Sequence, residues 1–204
     1  MKILGFLLIL LGVSKIAMAA EAPVVGRGAA EKYFENAERK VTQYGSDNHY
    51  LGLYAGRFMG NSAWDWGAKG RTDDVGNYNI GVTYRMNQYS DSADLCIRFE
   101  FDEYTIEADK PLKFSIMPLL TFPDASSKFP LYFGAGAGLG VFFKQIKDAS
   151  SIALDYQLIM GARFFDVFEN VGFSIETGLK NHLHLMNGGQ FNGVFLTAGG
   201  VFTF

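Results

Sequence analysis

From residue 50 to the end of the chain, apolar side chains recur at every second position. A period of two marks β-strands with one covered face, and few other structures tolerate it over such a length. Residues 75–86 show it most plainly. Tyr78, Ile80, Val82, Tyr84 and Met86 share one face, and Asn77, Asn79, Gly81, Thr83 and Arg85 share the other. The same phase runs through Leu95, Ile97, Phe99 and Phe101, then through Leu112, Phe114 and Ile116. It returns in residues 131–143, 154–164, 171–180 and 194–204. With Leu51, Leu53 and Ala55 in front, the pattern predicts about eight strands of roughly ten residues, the length of a tilted strand that crosses a bilayer. Beyond the first twenty residues no apolar run approaches the ~18 that a transmembrane helix needs.

Alternation alone fits two barrels turned inside out with respect to each other. A soluble, lipocalin-like barrel keeps its apolar phase inside, and a membrane barrel shows that phase to lipid. The polar phase decides between them. A solvated exterior would be dense in Lys, Glu and Thr, whereas here that phase is rich in glycine, which suits the narrow lumen of a small barrel. The apolar phase is large and aromatic, with Phe and Tyr recurring near strand ends as interfacial girdles require. The predicted fold is therefore all-β, an eight-stranded antiparallel up-and-down barrel over residues 50–204 with lipid outside. Its connections alternate in length. Residues 87–92, 123–128 and 166–170 form short turns, and residues 60–74 and 181–192 form long loops, as expected of periplasmic turns and outer loops.

Residues 1–19 read as a signal peptide, with Lys2, an apolar run over 3–13, and Ala17-Met18-Ala19 at the cleavage site. A retained anchor is the alternative. No cysteine stands near that point, so no lipoprotein anchor is expected. Residues 20–49 are predicted to form a periplasmic segment with a short amphipathic helix over 29–41, where Ala30, Phe34, Ala37 and Val41 have helical spacing. It covers the barrel rim or meets a partner or the membrane surface. Cys96 is the only cysteine, which excludes a disulfide framework and a Cys-based metal site. A net charge of −3 leaves no footprint for nucleic acid.

The chemistry-bearing candidates lie on the inward phase. Arg85, Arg98, Lys113, Arg163 and Lys180 point inward with Glu100, Asp102, Asp155 and Glu176. Charges in a narrow interior must pair, so these are expected to form an ion-pair network that plugs the barrel, or else to line a narrow ion path. Gly134, Gly136, Gly138 and Gly140 leave room for bulky neighbours such as Tyr54, Tyr132 or Phe142, or for an acyl chain. Pro118 removes one ladder hydrogen bond from its strand and is expected near a strand end. Trp64 and Trp66 in the first outer loop are expected to anchor at the headgroup level. His182 and His184, placed in the last outer loop, are candidates for a metal ligand or a general base. The default for both is an ordinary loop residue, and no metal or other cofactor is expected.

The export signal, the eight alternating segments, the strand Tyr132-Phe133-Gly134-Ala135-Gly136-Ala137-Gly138 and the closing Val201-Phe202-Thr203-Phe204 together resemble the small outer-membrane β-barrel proteins of the OmpA/OmpX-like type. The resemblance covers residues 50–204. It implies a bacterial outer-membrane location, a Gram-negative envelope, lipopolysaccharide as neighbour, and Phe202 and Phe204 as the signal read by the barrel-assembly machinery. It also implies a non-enzymatic role in envelope integrity or surface interaction. Asn181-His182-Leu183-His184-Leu185-Met186-Asn187 is similar to the His-x-Ser-Asn motif of lipid A 3-O-deacylases, with His184 on the histidine and Asn187 on the asparagine. Met186 stands where that family has its serine, and no acidic residue in the final strand could orient the histidine. The helix ahead of the barrel resembles the lipid A palmitoyltransferases, but residues 60–74 contain no histidine. A lipid A-modifying acyl hydrolase or transferase is thus the competing expectation, and a narrow channel the third.

Overall fold

A computed structural model describes residues 49–65, 70–106, 108–127, 129–143 and 150–204. The signal peptide, the amphipathic helix and Trp66 lie outside the described residues. Strands β1 (Tyr50–Trp64), β3 (Gly76–Ser90), β4 (Ala93–Tyr104), β5 (Leu112–Phe122), β6 (Leu131–Phe142), β7 (Ile152–Phe168), β8 (Val171–His184) and β9 (Gln190–Thr203) follow one another around a single antiparallel sheet. Pairing of β1 with β9 closes it into a barrel without edges. A short ninth strand, β2 (Gly70–Asp73), folds back on the far end of β1 through Ser62↔Asp73 and Ala63↔Thr72.

Several connections differ from expectation because the strands run further, whereas the expected turn 123–128 extends to residue 130. Part of the predicted loop 60–74 is a β-hairpin, because Ser62, Ala63 and Trp64 continue β1 and find a partner in β2. The predicted loop 181–192 shrinks to residues 185–189, since Asn181 to His184 keep the ladder of β8 and Gln190 begins β9. Turns at the other end are tighter as well, with only Asp91-Ser92 between β3 and β4 and Glu169-Asn170 between β7 and β8. His49 exchanges backbone hydrogen bonds of 3.2 Å with Phe204 at that same end. Pro118 lies in the interior of β5 rather than near its end. It pairs with Ile97 of β4, and the β5–β6 ladder skips from Ile116↔Leu139 to Leu119↔Gly136 around it.

The two faces of the sheet could hardly differ more. Ile80, Phe133, Leu158, Leu179 and Leu196 stand exposed on the outside, while Arg98, Lys113, Asp155 and Lys180 are buried inside. A soluble barrel would invert this arrangement. The glycine row of β6 faces inward and is closely met. A Cβ on Gly140 would lie 2.6 Å from an Asp155 carboxylate oxygen, and one on Gly136 would lie 2.8 Å from Met117 Sδ. Tyr54 and Tyr132, expected beside that row, instead fill the space over Gly81 and Gly161.

Candidate functional site

The inward side chains form layers. Midway along the lumen Lys180 donates to Glu100 Oε1 at 2.9 Å and to Asp102 Oδ1 at 3.3 Å. Lys113 donates to Asp155 Oδ2 at 2.5 Å and lies 3.7 Å from Asp102 Oδ2. Arg98 grips Glu176 with two parallel bonds of 2.6 and 2.8 Å, the bidentate geometry that a guanidinium favours. Neutral groups add further bonds to these carboxylates, although Asp102 Oδ2 is left without a hydrogen-bond partner. Tyr54 donates to Glu100 at 2.7 Å, Tyr132 to Glu176 at 2.6 Å, Asn79 to Asp102 at 2.6 Å, and the Gln157 amide to Glu100. His182 enters from β8, with Nδ1 at 2.9 Å from Asp155 Oδ1 and a close contact to the Lys113 ammonium.

The named charges do not form one body. Arg85 pairs with Asp94 at 2.7 Å in the half nearer the chain ends, and Asp94 also accepts from the Ala125 amide at 2.6 Å. Arg163 is held by ring faces and neutral oxygens. Its guanidinium sits 4.1 Å from the Tyr132 ring centroid, donates to Tyr50 at 2.5 Å and reaches the Pro123 carbonyl at 3.1 Å. Such a cation–π cage stabilises an arginine away from water. Cys96 is fully buried against the Tyr50 hydroxyl. A small void lies among Tyr50, Tyr54, Arg98, Tyr132, Arg163 and Glu176, and its polar walls suit about one water molecule.

Beyond the ion pairs, rings close the mouth at the end of the barrel away from Tyr50 and Phe204. Tyr104, Phe142 and Phe191 come from β4, β6 and β9, with centroids 4.9 to 6.0 Å apart. His184 stacks on Phe142 at 5.8 Å and meets Phe191 edge-on at 4.8 Å. His182 packs edge-on against Tyr104 at 5.7 Å. Both histidines are therefore buried strand residues of the inward phase, and the reading that placed them in a loop is corrected. Their spacing of two was itself the strand signal.

This placement bears on the acyl-transfer candidate. The His184 ring points into the lumen with Nδ1 3.4 Å from the Ser150 carbonyl, whereas Met186 is 76% exposed in the following turn. Asn187 is exposed in that turn too. The three aligned positions do not converge on one point, as nucleophile, base and oxyanion donor must. The Ser150 hydroxyl is engaged with the backbone of Ile152. Among the described residues no group of three or more His, Cys, Asp or Glu could hold a metal ion.

On the outside, Trp64 is half-buried and donates to Ser62 Oγ at 2.5 Å. Phe202 and Phe204 project outward at the chain-end rim, where Phe204 lies 6.4 Å from the Tyr84 ring.

A closed antiparallel barrel with an apolar exterior and a narrow interior crowded with buried charged side chains is a transmembrane β-barrel of the small outer-membrane type. Several solved structures are similar in shape. Neisserial surface protein A is 14% identical, with 76% of this chain and 97% of that chain covered and a TM-score of 0.49. The outer membrane enzyme PagL is 15% identical over 73% and 97%, with a TM-score of 0.43. Ail, the attachment invasion locus protein of Yersinia pestis, is 18% identical over 76% and 99%, with a TM-score of 0.40. No family model matches the chain, and no curated protein matches it in sequence.

Reasoning from the sequence passed over the mouth rings, Asp94 and the ionic role of His182. Tyr104, Phe142 and Phe191 all stand on the inward phase, and bulky aromatics on the lumen side near strand ends were the available signal.

Proposed function

We propose that the chain is a non-enzymatic, non-conducting barrel of the bacterial outer membrane that supports envelope integrity or surface contact. One observation carries this reading: ion-paired side chains fill the lumen and a cluster of rings covers them at the outer mouth. In this reading Arg85, Arg98, Glu100, Asp102, Lys113, Asp155, Arg163, Glu176 and Lys180 plug and stiffen the barrel. Trp64 anchors at the outer headgroup level, and Phe202 with Phe204 presents the signal for the barrel-assembly machinery. Lipopolysaccharide is the neighbouring lipid. The exposed Leu185 and Met186 at the tip of the last outer connection belong to the surface available for contact.

Reconstitution into planar bilayers containing lipid A tests both halves of the proposal. The expected record shows no conductance steps, and mass spectrometry of the recovered lipid A shows an unchanged acylation pattern. Discrete openings would overturn the plugged lumen, and loss or gain of an acyl chain would overturn the non-enzymatic role.

A further inference from the structure

The lipid-facing side of β7, β8, β9 and β1 carries a polar row that the plugged lumen does not use. Tyr156 pairs with Asn181, Asn181 with Asn192, and Asn192 with Ser62, so the four stand side by side on the outward phase. The row below them is Leu158, Leu179, Val194 and Gly60. The row above begins with Leu154 and Leu183 and ends with Gln190 and Trp64. On β7 and β8 the amide row is thus bracketed by leucines on both sides. It is a notch in the apolar surface that opens, on β9 and β1, toward Gln190 and Trp64 at the strand ends. Its depth is that of the outer strand ends, since β7 begins at Ile152, β8 ends at His184 and β9 begins at Gln190.

Asn181 is the centre of the notch. Although it points outward it is only 6% exposed, covered by its neighbours. Its amide donates to the Tyr156 hydroxyl at 2.8 Å and to Gln190 Oε1 at 3.2 Å. Its own oxygen, Oδ1, is buried and has no hydrogen-bond partner. Turning the amide end for end would exchange an orphan oxygen for an orphan N–H, so one end lacks a partner in either orientation. At the boundary between acyl chains and headgroups a buried polar group left unmet is destabilising. A neighbouring lipid-facing polar group is satisfied within the sheet. The Thr177 hydroxyl, one outward position before Leu179, donates to the Phe195 carbonyl at 2.7 Å.

We propose that this notch binds the sugar portion of an outer-leaflet glycolipid, with a sugar hydroxyl completing Asn181. A hydroxyl both donates and accepts, and so satisfies the amide in either orientation, whereas an ionised phosphate only accepts. The row of Tyr156, Asn181, Asn192 and Ser62 contains no cation to hold a phosphate. Amides with flanking aromatic rings, here Tyr156 and Trp64, are the side chains that meet the polar edges and apolar faces of a sugar. The occupant sits at the depth where the headgroup joins its acyl chains, so Leu158 and Leu179 below it meet the start of those chains.

The inference rests on the lipid-facing reading of the barrel exterior, and the test separates the two. Flotation of the refolded protein with phospholipid vesicles examines the exterior alone; a protein left in the pellet removes that reading. For the notch, the full chain in detergent micelles is mixed with equal amounts of lipid A, bis-dephosphorylated lipid A and phosphatidylglycerol, and the retained lipid is read by native mass spectrometry. Both glycolipids are expected to outcompete phosphatidylglycerol by roughly tenfold, the weight of about one well-made hydrogen bond. Asn181→Leu and Asn192→Leu, shown to be folded by heat-modifiable migration, are expected to lose that preference, and Thr177→Val to keep it. Equal retention of all three lipids, retention of lipid A without its dephosphorylated form, or an unchanged Asn181→Leu profile would each overturn the proposal. So would a dimer mass that Asn181→Leu converts to monomer, because the notch would then be a contact between copies of the chain.

Discussion

Single side chains in this lumen are strongly dependent on their partners. Lys180 alone neutralises parts of two buried carboxylates, Glu100 and Asp102. Removing one member of such a set leaves charge in a medium that solvates it poorly, typically destabilising by about 3–5 kcal/mol, while removing both members together is far milder. Lys180→Met is therefore expected to lower the urea midpoint of the micelle-refolded barrel by an amount in that range. Lys180→Met with Glu100→Gln is expected to recover part of the loss, a non-additivity that marks direct coupling. Equal midpoints for the single variant and the parent would show that the ion pair contributes nothing. At this scale the inward charges were legible from phase alone, but their partners were not. Arg85 found Asp94 and Arg163 found the faces of Tyr132 and Tyr50, because partners are fixed by strand register around the barrel, which period two does not encode.

Elements show where close approach of two strands, rather than lumen space, demands glycine. A Cβ on Gly138 would meet the backbone of β5, at the Ile116 carbonyl and 2.7 Å from Met117 Cα. A backbone neighbour cannot rotate aside as a side chain can, so Gly138→Ala must spread β5 from β6. It does so beside Pro118, where the ladder already skips a pair of bridges. Overpacking of this kind costs about 1–3 kcal/mol. Gly60, on the outward phase of β1, has nothing within 4 Å of the same added atom. Guanidinium unfolding of the two variants in micelles is expected to place Gly138→Ala well below the parent and Gly60→Ala within error of it. Similar midpoints would remove the close-approach account. The glycine row was visible in the sequence, but its meaning was only half so. Inward phase suggested room for side chains, and the approach of β5 to β6 depends on coiling of the closed sheet, which is a property of no single strand. Strand ends were misjudged for a related reason. His182 and His184 carry polar side chains on the inward phase, and polar residues beside a glycine-rich turn read as loop until β7 supplies the ladder that holds them.

At the scale of the whole molecule the inside-out choice was the most legible feature, because it is written in composition: glycine and balanced charge on one phase, large apolar side chains on the other. Whether the interior conducts is set instead by how the layers stack. In the proposed reading the mouth rings and the ionic layer are two seals in series, built from different chemistry. An ion entering from outside must first displace Tyr104, Phe142 and Phe191, then pass Lys113, Asp155, Asp102 and Lys180, each already bonded to a neighbour. Opening the second seal requires separating buried ion pairs, which is far less favourable than moving rings that bear no charge. Truncating the mouth with Phe142→Ala and Phe191→Ala is therefore expected to leave planar-bilayer recordings silent. Adding Lys113→Ala and Asp155→Ala, which removes two of those four charged side chains while preserving the charge balance, is expected to produce steps. Steps from the mouth variant alone would show that the rings are the only barrier and that the ion pairs line a path rather than close it.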